Sequence, residues 1–171
     1  NIVSGLLSFS RDKSLEYKDL NINEVLESVI TLTRHKMELQ NIKLTTDLLP
    51  GIITVRGDTN RLQQCLLNLV FNAIESMPQG GKLKIFSNRD KTQKKIRIMV
   101  DDTGTGITKD HLDHIFDPFF TTKEEGQGTG LGLSISYSII EEHNGAIEVL
   151  SEKGLGTEFS ITLPLNRKEQ I

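Results

Sequence analysis

Asn68 and Asn72 stand four residues apart inside a strongly apolar run, CLLNLVFNAI. At helical spacing their carboxamides project one turn apart on the same side. Amides amid that much apolar surface are costly unless something satisfies them. Amide oxygens are hard, neutral donors, suited to a cation that already carries phosphate oxygens. An asparagine pair satisfied by capping or by water accounts equally well for these two residues alone.

Two glycine clusters lie further along. Asp102 ends the apolar run IRIMV and is followed by the alternating Gly104 and Gly106. A carboxylate there can accept a hydrogen bond from an exocyclic amine, with the glycines letting a flat ring lie against the backbone; a loop-terminating Asp-Thr-Gly turn fits the same residues. The second cluster, Gly126, Gly128, Gly130 and Gly132, runs into the apolar, helix-period segment LGLSISYSIIEEH. A glycine-rich loop that feeds a helix N-terminus offers free amides and a positive dipole end to a phosphate. It is neither a GxxxxGK[ST] loop nor a GxGxxG turn preceded by a strand. Between the clusters, IFDPFFTTK concentrates aromatic area in Phe116, Phe119 and Phe120, which reads as a core plug under a mobile segment. Lys123 follows Thr121 and Thr122, where its ammonium can reach phosphates or simply stay solvated.

The elements that must position these groups follow from periodicity. Residues 1–12 place Ile2, Leu6 and Phe9 at helical spacing. After the extended DLNI, Asn23 is expected to cap a helix to about Gln40, followed by a strand IKLTTDL, a Pro50-Gly51 turn and a strand IITV. Asp58 is expected to cap the next helix, continuing to Met77, with Leu62, Leu66, Leu69, Ala73 and Met77 as its buried stripe. GKLKIFSN and KKIRIMV read as a hairpin, a helix runs from about Thr129 to His143, and AIEVLSE and GTEFSITLPL close the chain. The pattern predicts an α+β fold: a two-layer sandwich with a mixed, mostly antiparallel sheet covered on one face by helices.

Taken together and in this order, NLVFN, DTGTG, FDPFF and GTGLGL resemble the nucleotide-binding boxes of the GHKL ATP-binding superfamily. The similarity is greatest to the catalytic domain of sensor histidine kinases of two-component systems, in their nitrogen-regulatory, oxygen-sensing and sporulation group. It covers about residues 20–165, with 1–19 as the end of a dimerisation helix and its linker and 166–171 as a tail. The resemblance implies ATP and Mg²⁺ as cofactors, Asn68 and Asn72 as metal and phosphate contacts, and Asn68, Asn72 and Lys123 as the catalytic groups. It places the nucleotide against Asp102, Gly104, Gly106, Ile107, Phe119, Thr121, Thr122, Lys123, Gly128, Thr129, Gly130, Leu131, Gly132, Leu133 and Thr157. Adenine is implied over guanine, whose six-position would turn an acceptor toward the Asp102 oxygen. Hydrolases of the superfamily such as gyrase B carry a glutamate base where this chain has Asn68, so γ-phosphoryl transfer is implied rather than hydrolysis.

The 171 residues suffice for one domain with a core and carry a net charge of -3, with basic residues scattered, which gives no electrostatic case for nucleic acid. The single Cys65 fits a reducing compartment and reads as a small buried hydrophobe. No apolar run is long enough to span a bilayer, so no membrane contact by this stretch is expected and the location implied is cytoplasmic. None of His35, His111, His114 or His143 lies in a phosphoacceptor-like context. The chain therefore reads as a piece of a longer protein, a monomer or weak dimer. Its expected partners are ATP and ADP, its own dimerisation and phosphoacceptor helices, and a response-regulator receiver domain. Residues 121–127 are expected to be mobile without nucleotide.

Overall fold

The computed structural model describes residues 16–92, 94–123 and 128–166. The expected N-terminal helix over 1–12, residues 124–127 of the expected mobile segment and most of the tail lie outside the described residues.

Among the described residues, seven strands and four helices follow one another as β1 (Lys18–Asn21), α1 (Ile22–Leu39), β2 (Ile42–Asp47), β3 (Thr54–Gly57), α2 (Thr59–Glu75), β4 (Gly81–Arg89), β5 (Lys95–Asp102), α3 (Lys109–Leu112), α4 (Gly132–Glu142), β6 (Ala146–Glu152) and β7 (Gly156–Pro164). The main sheet has the order β2-β4-β5-β7-β6, with β2 parallel to β4 and every other pair antiparallel. β1 and β3 form a separate antiparallel pair. This is the expected α+β sandwich.

Strand alternation decides which face is covered. Register places Ile85, Val100, Phe159 and Val149 in one row and Ser87, Ile98, Ile161 and Ile147 in the next. These side chains join Leu62, Leu66, Leu69, Ala73 and Ile74 of α2, Val25, Leu26 and Val29 of α1 and Ile139 and Ile140 of α4 in one core. Each such Leu or Ile taken out of water stabilises by about 2 kcal/mol. The opposite face carries Lys84 and Asp101, paired at 3.6 Å.

Two helix starts differ from expectation, and the helix expected to continue to Met77 ends at Glu75 with Ser76 as its C-cap. Asn21, not Asn23, caps α1: its Oδ1 accepts from the Asn23 amide at 3.2 Å and from the Ile53 amide at 3.1 Å. Asn23 instead donates through Nδ2 to the carbonyls of Leu49 and Gly51, at 2.9 and 3.0 Å, fastening the loop after β2. That fastening holds residues 49–51 as a loop and delays the third strand to Thr54, two residues later than IITV suggested. The last long helix starts at Gly132 rather than near Thr129, because Gly130 has φ +67 and cannot continue a helix.

Asp58 caps α2 as expected, its Oδ1 accepting from the amides of Asn60 and Arg61 at 2.9 and 3.1 Å. A second tie at this end was not legible. His143, 2% exposed at the C-terminus of α4, accepts the Asp58 amide on Nε2 at 2.9 Å and donates from Nδ1 to the Ile139 carbonyl at 2.6 Å. This neutral imidazole joins the start of α2 to the end of α4, so the two helices that flank the cleft described below share an anchor. His143→Ala leaves the Asp58 amide without that acceptor and opens a cavity. Urea denaturation is expected to show a loss of about 2 kcal/mol; a loss below roughly 0.5 kcal/mol would mean that the tie is incidental.

Candidate nucleotide site

One cleft of about 850 Å³ opens where α2, the end of β5, the start of β7 and the N-terminus of α4 converge. Asn68, Asn72, Asp102, Gly106, Ile107, Phe119, Thr121, Thr122, Lys123, Gly128, Thr129, Gly130, Leu131, Gly132, Leu133 and Thr157 all line it. Groups up to 89 residues apart in the chain thus share one cavity. Gly104 does not line it.

Asp102 is 4% exposed, and its environment comes from three elements. Oδ1 lies 2.8 Å from the Gly104 amide and 3.0 Å from the Ser76 hydroxyl at the C-cap of α2, and the Thr157 amide of β7 also donates to the carboxylate. Burial pushes the carboxyl above its ordinary value, and these three donors pull it partly back. Oδ1 is thereby committed to the protein, and the carboxylate as a whole lines the cleft.

The glycines serve a purpose other than the expected one. A Cβ on Gly104 would lie 1.9 Å from Ser76 Oγ, one on Gly106 (φ +64) 2.0 Å from the Glu152 carbonyl, and one on Gly156 1.9 Å from the Asp102 carbonyl. They let backbone approach backbone, so that β5, its following loop and the β6–β7 hairpin close around Asp102; Gly104 acts by orienting the carboxylate.

At the other end of the cleft, α4 begins at Gly132 with Leu131 as a cap whose side chain makes no capping hydrogen bond. Its first amides therefore face the cavity with the positive end of the helix dipole. Asn68 donates through Nδ2 to the Gly132 carbonyl at 3.1 Å and to Ser136 Oγ at 3.3 Å. This commits its nitrogen and leaves Oδ1 without a partner among the described residues. The Asn72 amide, one turn on, has no hydrogen-bond partner among the described residues. Two amide oxygens one turn apart in a phosphate-sized cleft are a donor set that fits a hard cation. Among the described residues no three His, Cys, Asp or Glu side chains gather to hold a metal alone, so such a cation would have to arrive with the phosphates.

Lys123 turns to Glu75 Oε2, one turn beyond Asn72, and forms an ion pair with it. The aromatic plug divides. Phe116 packs between Tyr137 and Phe159, with ring centroids 5.4 and 6.5 Å away, and Phe120 stacks edge-on to His111 at 5.5 Å. Phe119 is 66% exposed with φ +69 and belongs to the cleft wall, its amide donating to the Gly130 carbonyl at 2.9 Å. Glu75, Ser76, Phe71, Thr105, His111, Ile115, Phe120 and Phe159 also line the cleft and were missed. Only Ser76 and Glu75 carried a signal, lying three or four residues beyond Asn72 on the same helical side. Cys65 is buried, its Sγ 3.8 Å from the Ser136 carbonyl, and burial pushes its thiol up to about 12, which makes it inert packing.

Two glycine substitutions separate the roles. Gly106→Ala forces a side chain into the Glu152 carbonyl at positive φ and is expected to lower stability by about 2 kcal/mol or more. Gly132→Ala meets only Asn68, at 3.8 Å, inside a helix, and is expected to raise stability by roughly 0.5–1 kcal/mol. Thermal melts of the two variants check the pair; equal destabilisation would contradict it.

Residues 57–167 match the family model of histidine kinase-, DNA gyrase B- and HSP90-like ATPases. Sporulation kinase E of Bacillus subtilis (strain 168) is 36% identical over 170 residues, 99% of this chain but 23% of that protein. The solved catalytic domain of histidine kinase ThkA is 37% identical with a TM-score of 0.77, covering 87% of this chain and 97% of that one. ThkA in complex with the response regulator protein TrrA superimposes with a TM-score of 0.80 at 33% identity, over 99% of this chain and 48% of that one. The chain spans less than a quarter of the length of sporulation kinase E. Family model, fold and the near-complete overlap with a histidine kinase catalytic domain agree: this chain belongs to the histidine kinase-, DNA gyrase B- and HSP90-like ATPase family, among its histidine kinase catalytic domains.

Proposed function

We propose that the cleft binds MgATP, with adenine against Asp102 and Thr157 and the triphosphate toward the N-terminus of α4. In the intact protein the γ-phosphoryl passes to a histidine on a helical segment outside residues 20–165. The observation that carries this reading is the convergence of a buried carboxylate, two asparagine amides and an uncapped helix N-terminus on one cavity.

Each group has a task that its surroundings support. The Asp102 carboxylate accepts from the exocyclic amine of adenine. The first amides of α4 and the Lys123 ammonium face phosphate oxygens, with Lys123 exchanging Glu75 for the nucleotide. Asn72 and Asn68 Oδ1 would hold the cation, which when bound would supply positive charge against the phosphate oxygens. Positioning and charge neutralisation, rather than proton transfer, supply the catalysis, as befits a loose phosphoryl-transfer transition state.

Hydrolysis is favoured by a base that activates water, and position 68, where the resembled hydrolases carry a glutamate, holds an asparagine whose amide cannot take up a proton. Transfer to another acceptor is therefore the favoured outcome. A response-regulator receiver domain as the next acceptor is supported by the complex of the similar ThkA with TrrA. No helix among the described residues is long and apolar enough to cross a membrane. The cytoplasm, where ATP is plentiful and thiols stay reduced, is the location we propose.

Asp102→Asn keeps the shape, and its oxygen can still accept from Gly104 and Ser76, which turns an NH₂ group toward the adenine amine. Calorimetry is expected to show ATP affinity falling at least about tenfold with the melting temperature held or raised; unchanged affinity would refute the assignment. Wild-type ATP affinity should also weaken as pH falls through the Asp102 titration. Because burial raises that titration above the ordinary carboxylate range, the weakening should begin at a higher pH than for an exposed aspartate, and the Asn variant should lack it.

The transfer itself is tested by mixing this chain and γ-labelled ATP with a separately made phosphoacceptor hairpin. Acid-labile label on histidine is expected; release of free phosphate without labelling would favour a hydrolase.

A further inference from the structure

Ser151 lies on β6, and no task has been assigned to it in the cleft. Register carries Leu83, Asp102, Thr157 and Ser151 across four adjacent strands in a single row on the covered face. The row begins apolar and ends in three polar side chains, of which Asp102 and Thr157 line the cleft and Ser151 lies behind Thr157.

The hydrogen bonds around Ser151 leave little freedom. The Ile107 amide lies 2.8 Å from Ser151 Oγ and can only donate to it. The Gly156 carbonyl lies 2.8 Å from the same oxygen and can only accept. Two oxygens at that separation repel unless a proton lies between them, so the Ser151 hydroxyl proton points to Gly156. Thr157 Oγ1 is 2.9 Å from Ser151 Oγ, and with the serine proton spent elsewhere the threonine must be the donor. Ser151 thus receives two hydrogen bonds and gives one, and the Thr157 proton is held away from the cleft that this residue lines.

We infer that Ser151 is a positioning residue for base selection: it locks Thr157 as a pure acceptor beside Asp102, so that the cleft floor accepts hydrogen bonds and offers none. This rests on the adenine reading above and deepens it. An acceptor-only floor suits an amino group at the six-position of a purine. A six-oxo purine places a third acceptor against two others at that position, its nearest donor having moved to the ring nitrogen N1, and the mismatch counts against it. The same serine ties the Ile107 amide, two chain elements away, to the β6–β7 hairpin, so the wall and the floor of the base site share one atom. With Ser151 replaced by alanine, the Thr157 hydroxyl rotates freely and can donate to a six-oxo group.

The test is equilibrium binding of MgATP and MgGTP to the wild-type chain, Ser151→Ala, Thr157→Val and the double variant. Ser151→Ala is expected to lower the ATP:GTP affinity ratio about tenfold, chiefly by improving GTP. Thr157→Val should make the Ser151 substitution silent in that ratio, and Ser151→Thr, which restores the hydroxyl, should restore discrimination. An equal loss for both nucleotides in Ser151→Ala, ratio unchanged, would reduce the serine to scaffolding and overturn the inference. Should that variant fail to fold, the Thr157→Val ratio decides, since a wild-type ratio there also overturns it. A wild-type chain that binds neither nucleotide would overturn the adenine reading and this one with it, an outcome visible before any variant is compared.

Discussion

A carboxylate in an apolar interior is costly unless hydrogen bonds replace the water it has lost. Asp102 lies at the end of the central strand β5, 4% exposed, and the surrounding architecture answers that demand. Ser76 reaches it from the end of α2, Gly104 from the loop that follows, and the Thr157 amide from the neighbouring β7. For three elements to meet one carboxylate their backbones must nearly touch, and Gly104, Gly106 and Gly156 remove the side chains that would prevent it. The constraint is reciprocal. The donors hold the carboxylate at the cleft wall, so the bonds that offset the cost of burying the charge also orient it as an acceptor.

The phosphate end follows a different rule. There the polar groups are left incomplete: α4 starts without a side-chain cap, the Asn72 amide and Asn68 Oδ1 have no partner among the described residues, and Lys123 is held only by a half-exposed ion pair with Glu75. Surface ion pairs of that kind contribute little, so the lysine is easily released. A rigid, fully satisfied base site joined to an unsatisfied phosphate site suits a ligand with a flat aromatic end and a charged flexible end. The neutral His143, clamped between α2 and α4, keeps the two ends in register by fixing the helices that carry them.

Much of this was legible from residue types. The stripe on α2, the alternation in β4, β5 and β7, and the glycines before α4 each state a local preference that the fold confirms. The site residues were found because their chemistry is unusual for their surroundings: amides in an apolar helix, an acid at a strand end. What escaped was long-range. Asn21 rather than Asn23 caps α1 because the Ile53 amide, 32 residues away, shares the same oxygen, and no local pattern reports that. The spacing of Gly104 suggests room for a ligand, but a Cβ there would meet Ser76. Composition groups Phe119 with Phe116 and Phe120, but Phe119 has a left-handed backbone, its amide bonds the Gly130 carbonyl, and its side chain is exposed at the cleft.

Base recognition by an ionised, directional acceptor is the claim on which the rest depends, and it is tested most directly by the affinity of this chain for inosine triphosphate relative to ATP. The two differ at the six-position, which accepts instead of donating, and at the adjacent N1, which donates instead of accepting. The account predicts that the inosine nucleotide binds at least about a hundredfold more weakly. Comparable affinities would contradict it, because Asp102 would then not be reading the base.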